Sequence, residues 1–293
     1  MQNATAIKAN QLIAASERLT LDPFTDVDWS IEVADDSQYH LPPEKLPLFG
    51  TRQWDSMTEH ERRTYSRHEC AAVCAAGIWF ENKLMQIVLR HLAQMPVTDP
   101  AHRYLLIEVA DECRHSTMFG EYIRQAGTPT YAPDTGGSGL DAVDDLPGGR
   151  AMGYLLILAV EELLDMCNRA TMRDDMVHPV SRQIAKLHVL EEARHVSFAK
   201  TYLTEAWPTL SEAERAEAAA VAPFAVDYVA QLMVNDDVYA ELGIDGGAEA
   251  ARTNPLHQAR IVTDLAKLTD FLTKLGVIDD TNRNEWVERG LAA

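Results

Sequence analysis

Glutamate followed three residues later by histidine occurs twice in one frame. Asp111-Glu112-Cys113-Arg114-His115 and Glu191-Glu192-Ala193-Arg194-His195 share the order acid, Glu, any residue, Arg, His, and lie 80 positions apart. On a helix, residues i and i+3 lie on one side, so each copy can aim a carboxylate and an imidazole at a single point. Two such helices face to face, with one further Glu from each of two other helices, make the ligand set of a di-iron or di-manganese carboxylate bundle. The further glutamates are present. Glu81 stands 31 residues before Glu112 and Glu161 stands 31 before Glu192, so the whole set repeats with one period of 80. Glu162 competes with Glu161 but breaks that spacing. His188 adds an imidazole one turn before Glu192 and two turns before His195; its counterpart in the first half is Glu108, expected beside the ligands or in solvent rather than on a metal. The candidate ligands are therefore Glu81, Glu112, His115, Glu161, His188, Glu192 and His195. A single Glu-x-x-His is common on solvated helices. Here at least six buried polar groups would have to be satisfied without a cation, which is costly.

Four long helices must position these side chains. Thr58-Glu59-His60-Glu61 is a capping box that opens the first, running toward Met95-Pro96 and carrying Glu81. Asp99-Pro100 caps the second, which carries Glu112 and His115 and ends at Gly127. Residues 128–147, with Gly136-Gly137-Ser138-Gly139, read as a long crossover and a candidate lid. The third helix, about 151–174, carries Glu161; the fourth begins at His178-Pro179, carries His188, Glu192 and His195, and ends at Trp207-Pro208. Ser211 caps a fifth helix with a kink expected at Pro223, Asn254-Pro255 opens a sixth that ends near Gly276, and Thr281–Arg289 forms a short seventh. Ile7–Leu19 has helical spacing, and the Pro-rich stretch 23–57 reads as an irregular arm held on the bundle by Trp29, Tyr39, Phe49 and Trp54. No segment alternates with period two, so no sheet is expected. The fold class is all-α in one domain: an N-terminal arm at 1–57, a metal-binding four-helix bundle at 58–207 and flanking helices at 208–293.

The composition narrows the partners. A net charge of −19 argues against nucleic acid or an anionic membrane, and a 46% hydrophobic fraction is ample for a core. No secretory leader and no apolar run long enough to cross a bilayer are expected, and Cys70, Cys74, Cys113 and Cys167 read as buried free thiols, which together suit a reducing cytoplasm. Cys113 is turned about 100° from Glu112 and so away from the metal.

Over residues 22–275 the chain resembles the di-iron N-oxygenases that oxidise arylamines to nitro compounds, a family of ferritin-like fold typified by p-aminobenzoate N-oxygenase. The resemblance lies in Asp22-Pro23-Phe24, Leu48-Phe49-Gly50-Thr51 and the seven-ligand pattern with its additional histidine, His188. It implies that Glu81, Glu112 and His115 serve mainly one iron and Glu161, His188 and His195 the other, with Glu112 and Glu192 as bridges. It further implies that Asp111 orients His195 and Glu191 orients His115. Two Fe ions, with Mn an alternative in either position, would take O2 as co-substrate and oxidise an amine through a peroxo-diferric intermediate. An external reductase or ferredoxin would supply electrons, since no flavin or nicotinamide fingerprint occurs, and a homodimer is implied.

The positions one turn from Glu81 and Glu161 are mostly apolar, with no Lys or Arg expected there to pair with a substrate carboxylate. Asp165 is the exception, expected as a hydrogen-bond partner beside the metal site or a hydrogen bond within the bundle rather than as a substrate contact. C–H hydroxylation or desaturation is the competing chemistry for the same site, and ferroxidase or iron storage is a more distant alternative from another class. A zinc hydrolase is disfavoured because His188-x3-Glu192-x2-His195 is not His-Glu-x-x-His.

Overall fold

A computed structural model describes residues 3–135 and 146–293. The helices are α1 (Ala4–Arg18), α2 (Pro23–Asp26), α3 (Arg52–Ser56), α4 (Glu59–Leu92), α5 (Pro100–Ala126), α6 (Arg150–Thr171), α7 (Pro179–Ala206), α8 (Glu212–Gln231), α9 (Asp236–Glu241), α10 (Gly247–Arg252), α11 (Pro255–Asp264), α12 (Ala266–Leu275) and α13 (Arg283–Glu288). Among the described residues there is no sheet; one isolated bridge joins Tyr39 to Val177. The all-α class read from the sequence is the fold observed.

The starts of the long helices follow from local chemistry. Thr58 and Glu61 form the reciprocal capping box on α4, Asp99 accepts from the Ala101 amide at α5, and Gly127 closes α5 with φ +65°, a value suited to glycine. The hairpins α4–α5 and α6–α7 form the four-helix bundle, α1 packs on α5 and α7, and α8, α11 and α12 cover the outside of α6. This explains why α6 is apolar on nearly every side: helices lie against it all round.

Two apolar halves make up the core. One holds Leu84–Leu92 of α4, Tyr104, Leu105, most of α6 and Phe198–Leu203 of α7 with α8 and α12. The other holds the arm, Tyr65–Ala75, Met118–Ala126 and Val180–Leu187. The candidate ligands fall between these halves on all four bundle helices, so the chain buries one polar layer between two apolar ones.

The arm is held by specific bonds. Ser66 Oγ accepts from the His40 and Leu41 amides at 2.9 Å each, Lys45 pairs with buried Asp264 at 2.9 Å, and Asn254 donates to the Pro47 and Phe49 carbonyls. Tyr39 and Trp54 are buried, and Trp29 and Phe49 pack partly buried beside them.

Several expectations change. The sixth helix is two, α11 and α12, separated at Leu265, and the short α9 and α10 lie between the fifth and sixth helices, where no separate element was expected. Pro223 lies inside α8, the position where a kink was expected. It lacks the N–H that would bond the Ala219 carbonyl four residues back, and Asn282 Nδ2 donates to that carbonyl at 3.3 Å instead. Cys70, Cys74 and Cys167 are buried free thiols, whereas Cys113 is exposed on the outer side of α5. Two stretches, Glu59–Leu92 and Glu212–Glu241, are long and apolar enough by composition to cross a membrane, contrary to the sequence reading. The first of them carries Glu69, Glu81 and His91 buried within the bundle, the mark of a core helix. The proposed lid at 136–145 lies outside the described residues.

Candidate metal centre

Glu81 of α4, Glu112 and His115 of α5, Glu161 of α6, and His188, Glu192 and His195 of α7 converge, each no more than 3% exposed. Glu112 and Glu192 each reach both Glu-x-x-His imidazoles with separate oxygens. Glu112 Oε2 lies 2.9 Å from His115 Nδ1 and Oε1 lies 2.9 Å from His195 Nδ1. Glu192 Oε1 lies 3.0 Å from His115 Nδ1 and Oε2 lies 2.8 Å from His195 Nδ1. Two carboxylates each in reach of both imidazoles are placed where they could help hold two cations.

The donor atoms fall into three groups, each within 4.8 Å: Glu81, His115, His188 and Glu192; Glu112, Glu192 and His195; and Glu81, Glu112 and Glu161. The chemistry of this set suits divalent iron or manganese. Glu161 Oε2 is buried without a hydrogen-bond partner, an arrangement that a bound cation would relieve.

The outer ring nitrogens are held by the acid that opens the opposite repeat. His115 Nε2 meets Glu191 at 2.9 Å and His195 Nε2 meets Asp111 at 3.3 Å, which leaves each Nδ1 directed at the site. The Arg of each repeat, to which the sequence reading gave no role, spans both acids. Arg194 reaches Asp111 at 3.1 Å and Glu191 at 3.3 Å, while Arg114 binds Asp111 closely and reaches Glu191 at 3.4 Å. The signal was present: Arg precedes His in both copies.

His188 departs from its expected place. Its Nε2 lies 3.5 Å from Glu81 and 3.6 Å from Glu192, so it joins the Glu81–His115 side rather than Glu161 and His195. The cause is Asn168, seven residues beyond Glu161 on α6, whose Nδ2 meets His188 Nδ1 at 3.0 Å and turns the other nitrogen toward Glu81. Gly77 supports the same corner: a Cβ there would sit 3.0 Å from the Phe119 ring, which packs 5.3 Å from His188.

Asp165 makes a hydrogen bond within the bundle: it accepts from Arg169 one turn on at 2.6 Å, and Lys267 of α12 lies 3.5 Å away. Glu108 is buried, and its carboxyl is pushed up to about 7 by burial, with the His195 charge opposing. Glu162 turns from the site to Lys200 at 2.5 Å. A narrow cleft borders the centre, lined by Phe80, Leu84, Leu156, Val160 and Val229 with Glu81 and Glu161 in its wall. Half-buried Lys83 also lines it, a cation that the sequence reading did not place there.

Packing four carboxylates together shifts their protonation. Burial first, then the Glu112 charge, pushes Glu81 from its ordinary 4.5 up to about 8, and burial with the Glu192 and Glu81 charges lifts Glu161 well above the carboxylate range. Burial also opposes charge on Glu192, yet the His195 and His188 imidazoles hold it well below that range. The metal-free fold thus keeps a proton on Glu81 that the unfolded chain has released. That contribution to stability is complete below 4.5 and is lost as pH rises through about 8. A cation must displace this proton. Metal uptake is therefore expected to release protons at neutral pH and to tighten as pH rises toward 8. Calorimetric titration in two buffers of different ionisation enthalpy checks this; equal heats in both would refute it.

Fold and site together define a ferritin-like helical bundle able to hold a di-metal carboxylate centre. The chain belongs to the p-aminobenzoate N-oxygenase AurF family, whose model matches residues 2–276. It is 29% identical over 211 residues to the uncharacterized proteins Mb0909 of Mycobacterium bovis and Rv0885 of Mycobacterium tuberculosis, a match covering 70% of this chain and 62% of each relative's length. A mutant R2-like ligand-binding oxidase with an aerobically reconstituted Mn/Fe cofactor shares the fold at 13% identity, with a TM-score of 0.53 over 95% of both chains.

Proposed function

We propose that the protein is an O2-dependent di-metal oxygenase that oxidises an amine, taking an arylamine toward the hydroxylamine, nitroso or nitro level. The observation that carries this reading is the cleft. Its walls are apolar, from Phe80, Leu84, Ile87, Leu156, Ile157, Val160 and Val229, and its polar positions are the carboxylates of Glu81 and Glu161 and the side chain of Lys83. Apolar walls hold an aromatic ring and keep water out, carboxylate oxygens accept hydrogen bonds from an N–H and so favour an amine at the reacting end, and Lys83 leaves room for an anionic group elsewhere on the substrate. Glu81, Glu112, Glu161 and Glu192 with His115, His188 and His195 would hold two ions, iron in both positions or manganese in one or both. When bound, such a pair supplies the O2 binding and electrons that oxygen insertion needs. Asp111 and Glu191 keep the histidine rings aligned while the charge at the centre changes. An external reductase or ferredoxin as electron donor, a homodimer and a cytoplasmic setting belong to this reading.

A second reading, C–H hydroxylation or desaturation, draws on the narrowness and apolar walls of the same cleft. Such a slot also fits an extended alkyl chain. The test is metal analysis followed by single-turnover oxidation of the reduced protein by O2, with arylamines and fatty acids offered separately. Two metals per chain and N-oxygenated product establish the amine reading. Two metals with only C–H oxidation move it to the second, and no bound metal overturns both.

A further inference from the structure

An aromatic layer lies against one side of the metal layer. Tyr154 precedes Glu161 by seven residues on α6, Tyr202 follows His195 by seven on α7, and Tyr104 precedes Glu112 by eight on α5. Spacings of seven and eight return to the same helix face two turns away, and neighbouring helices run in opposite directions, so these rings gather at one end of the bundle. The Tyr154 ring lies 4.3 Å from Tyr202 and 6.3 Å from Phe198, and Phe198 lies 4.9 Å from Tyr104. His91, in the last turn of α4, completes the layer. Its Nδ1 is 2.9 Å from the Tyr154 hydroxyl and its ring is 5.1 Å from Tyr202. Tyr154 is fully buried, His91 is 4% exposed and Tyr202 is half-buried, so the layer leads from the centre toward the surface.

A phenol bonded to an imidazole nitrogen is what a tyrosine needs in order to give up an electron, because the phenolic proton must leave with it. Burial and the Arg150 charge hold His91 down at about 4, so it is neutral at physiological pH and, with its ring proton on Nε2, accepts from Tyr154. His91 holds the proton only while the phenol is oxidised, since an oxidised phenol is a far stronger acid than an imidazolium held at about 4. Tyr154 lies roughly 10 Å from Glu161 along α6 at about 1.5 Å per residue, a separation that electrons tunnel across readily.

We propose that Tyr154 and His91 form a proton-coupled redox pair that, through Tyr202, drains oxidising equivalents from the metal centre when it is oxidised without substrate. The pair rests on the di-metal oxygenase reading. One electron passes from Tyr154 to the oxidised centre and the phenolic proton passes to His91 Nδ1, leaving a neutral phenoxyl radical and an imidazolium. A one-electron reductant of the thiol or ascorbate class, itself oxidised to its radical beside Tyr202, returns the electron by tunnelling across the packed Tyr202 ring, which keeps its own proton and electron, and His91 returns the proton to Tyr154.

The test uses protein loaded with Fe(II), its metal content measured, mixed with O2 without substrate and freeze-quenched for electron paramagnetic resonance. The wild type should show a neutral tyrosyl radical, and Tyr154→Phe, which keeps the ring packing, should remove it. His91→Phe should slow radical formation by about a hundredfold, the lower end of what a positioned base contributes, and make it faster as pH rises. Tyr202→Leu, which removes the ring, should lengthen the radical's life in ascorbate. Bound metal with no tyrosyl signal in the wild type, or a signal that survives Tyr154→Phe, overturns the pair and leaves the oxygenase reading standing. Failure to bind metal overturns both.

Discussion

Replacing Glu161 by Ala should cost the protein one bound metal ion per chain, while Glu162→Ala should leave two. The residues are neighbours on α6 and equally buried, at 1% and 2% exposure, so burial does not distinguish them. Their partners do. Glu161 shares a donor group with Glu81 and Glu112 and keeps one oxygen unpartnered, whereas Glu162 is neutralised by Lys200 across the α6–α7 interface. Removing Glu161 takes a ligand from one position and leaves the other position's donors in place. Removing Glu162 orphans a lysine that is 28% exposed and can turn to water, so a modest stability loss with full metal content is expected. Plasma emission analysis after anaerobic loading gives the count. Two metals in Glu161→Ala and one in Glu162→Ala would invert the assignment and the repeat argument with it.

Arg194→Ala is expected to destabilise the fold by about 3–5 kcal/mol, the usual cost of removing one partner from a buried ionic cluster. Arg194 is 9% exposed and bonds both Asp111 and Glu191, which are themselves 2% and 0% exposed. Burial alone would raise Asp111. It is instead held below its ordinary value by His195, with Arg114 and Arg194 adding to the effect. Without Arg194 two buried acids face each other with one cation fewer, and their grip on His195 and His115 loosens. Arg114 spans the same two acids but is 30% exposed, so Arg114→Ala should cost less because water can replace part of what is lost. Chemical denaturation of the metal-free protein compares the two. A cost for Arg194→Ala below about 1 kcal/mol, the size of an ordinary surface change, would show that the cluster is relieved by protonation or water.

Much of the centre was legible because ligand chemistry and helix geometry are local. Carboxylate and imidazole three apart must share a helix face, and two copies 80 residues apart, each with a Glu 31 residues upstream, mark four helices before any contact is known. The caps at Thr58 and Asp99 are local too, since each side chain bonds an amide within three residues. So the sequence by itself determined which seven side chains come together and that helices bring them. Which side of the centre receives His188 depended on Asn168, 20 residues away, and only the packing of α6 against α7 brings the two together. Asp165 bonds Arg169 one turn along α6, a local pairing, with Lys267 of α12 adding from outside. Pro223 marked a kink by local rules, and Asn282 reached back to cap the carbonyl it freed. For His188 and Pro223 the deciding bond joins residues far apart in the chain, so its energy exists only after the helices have docked.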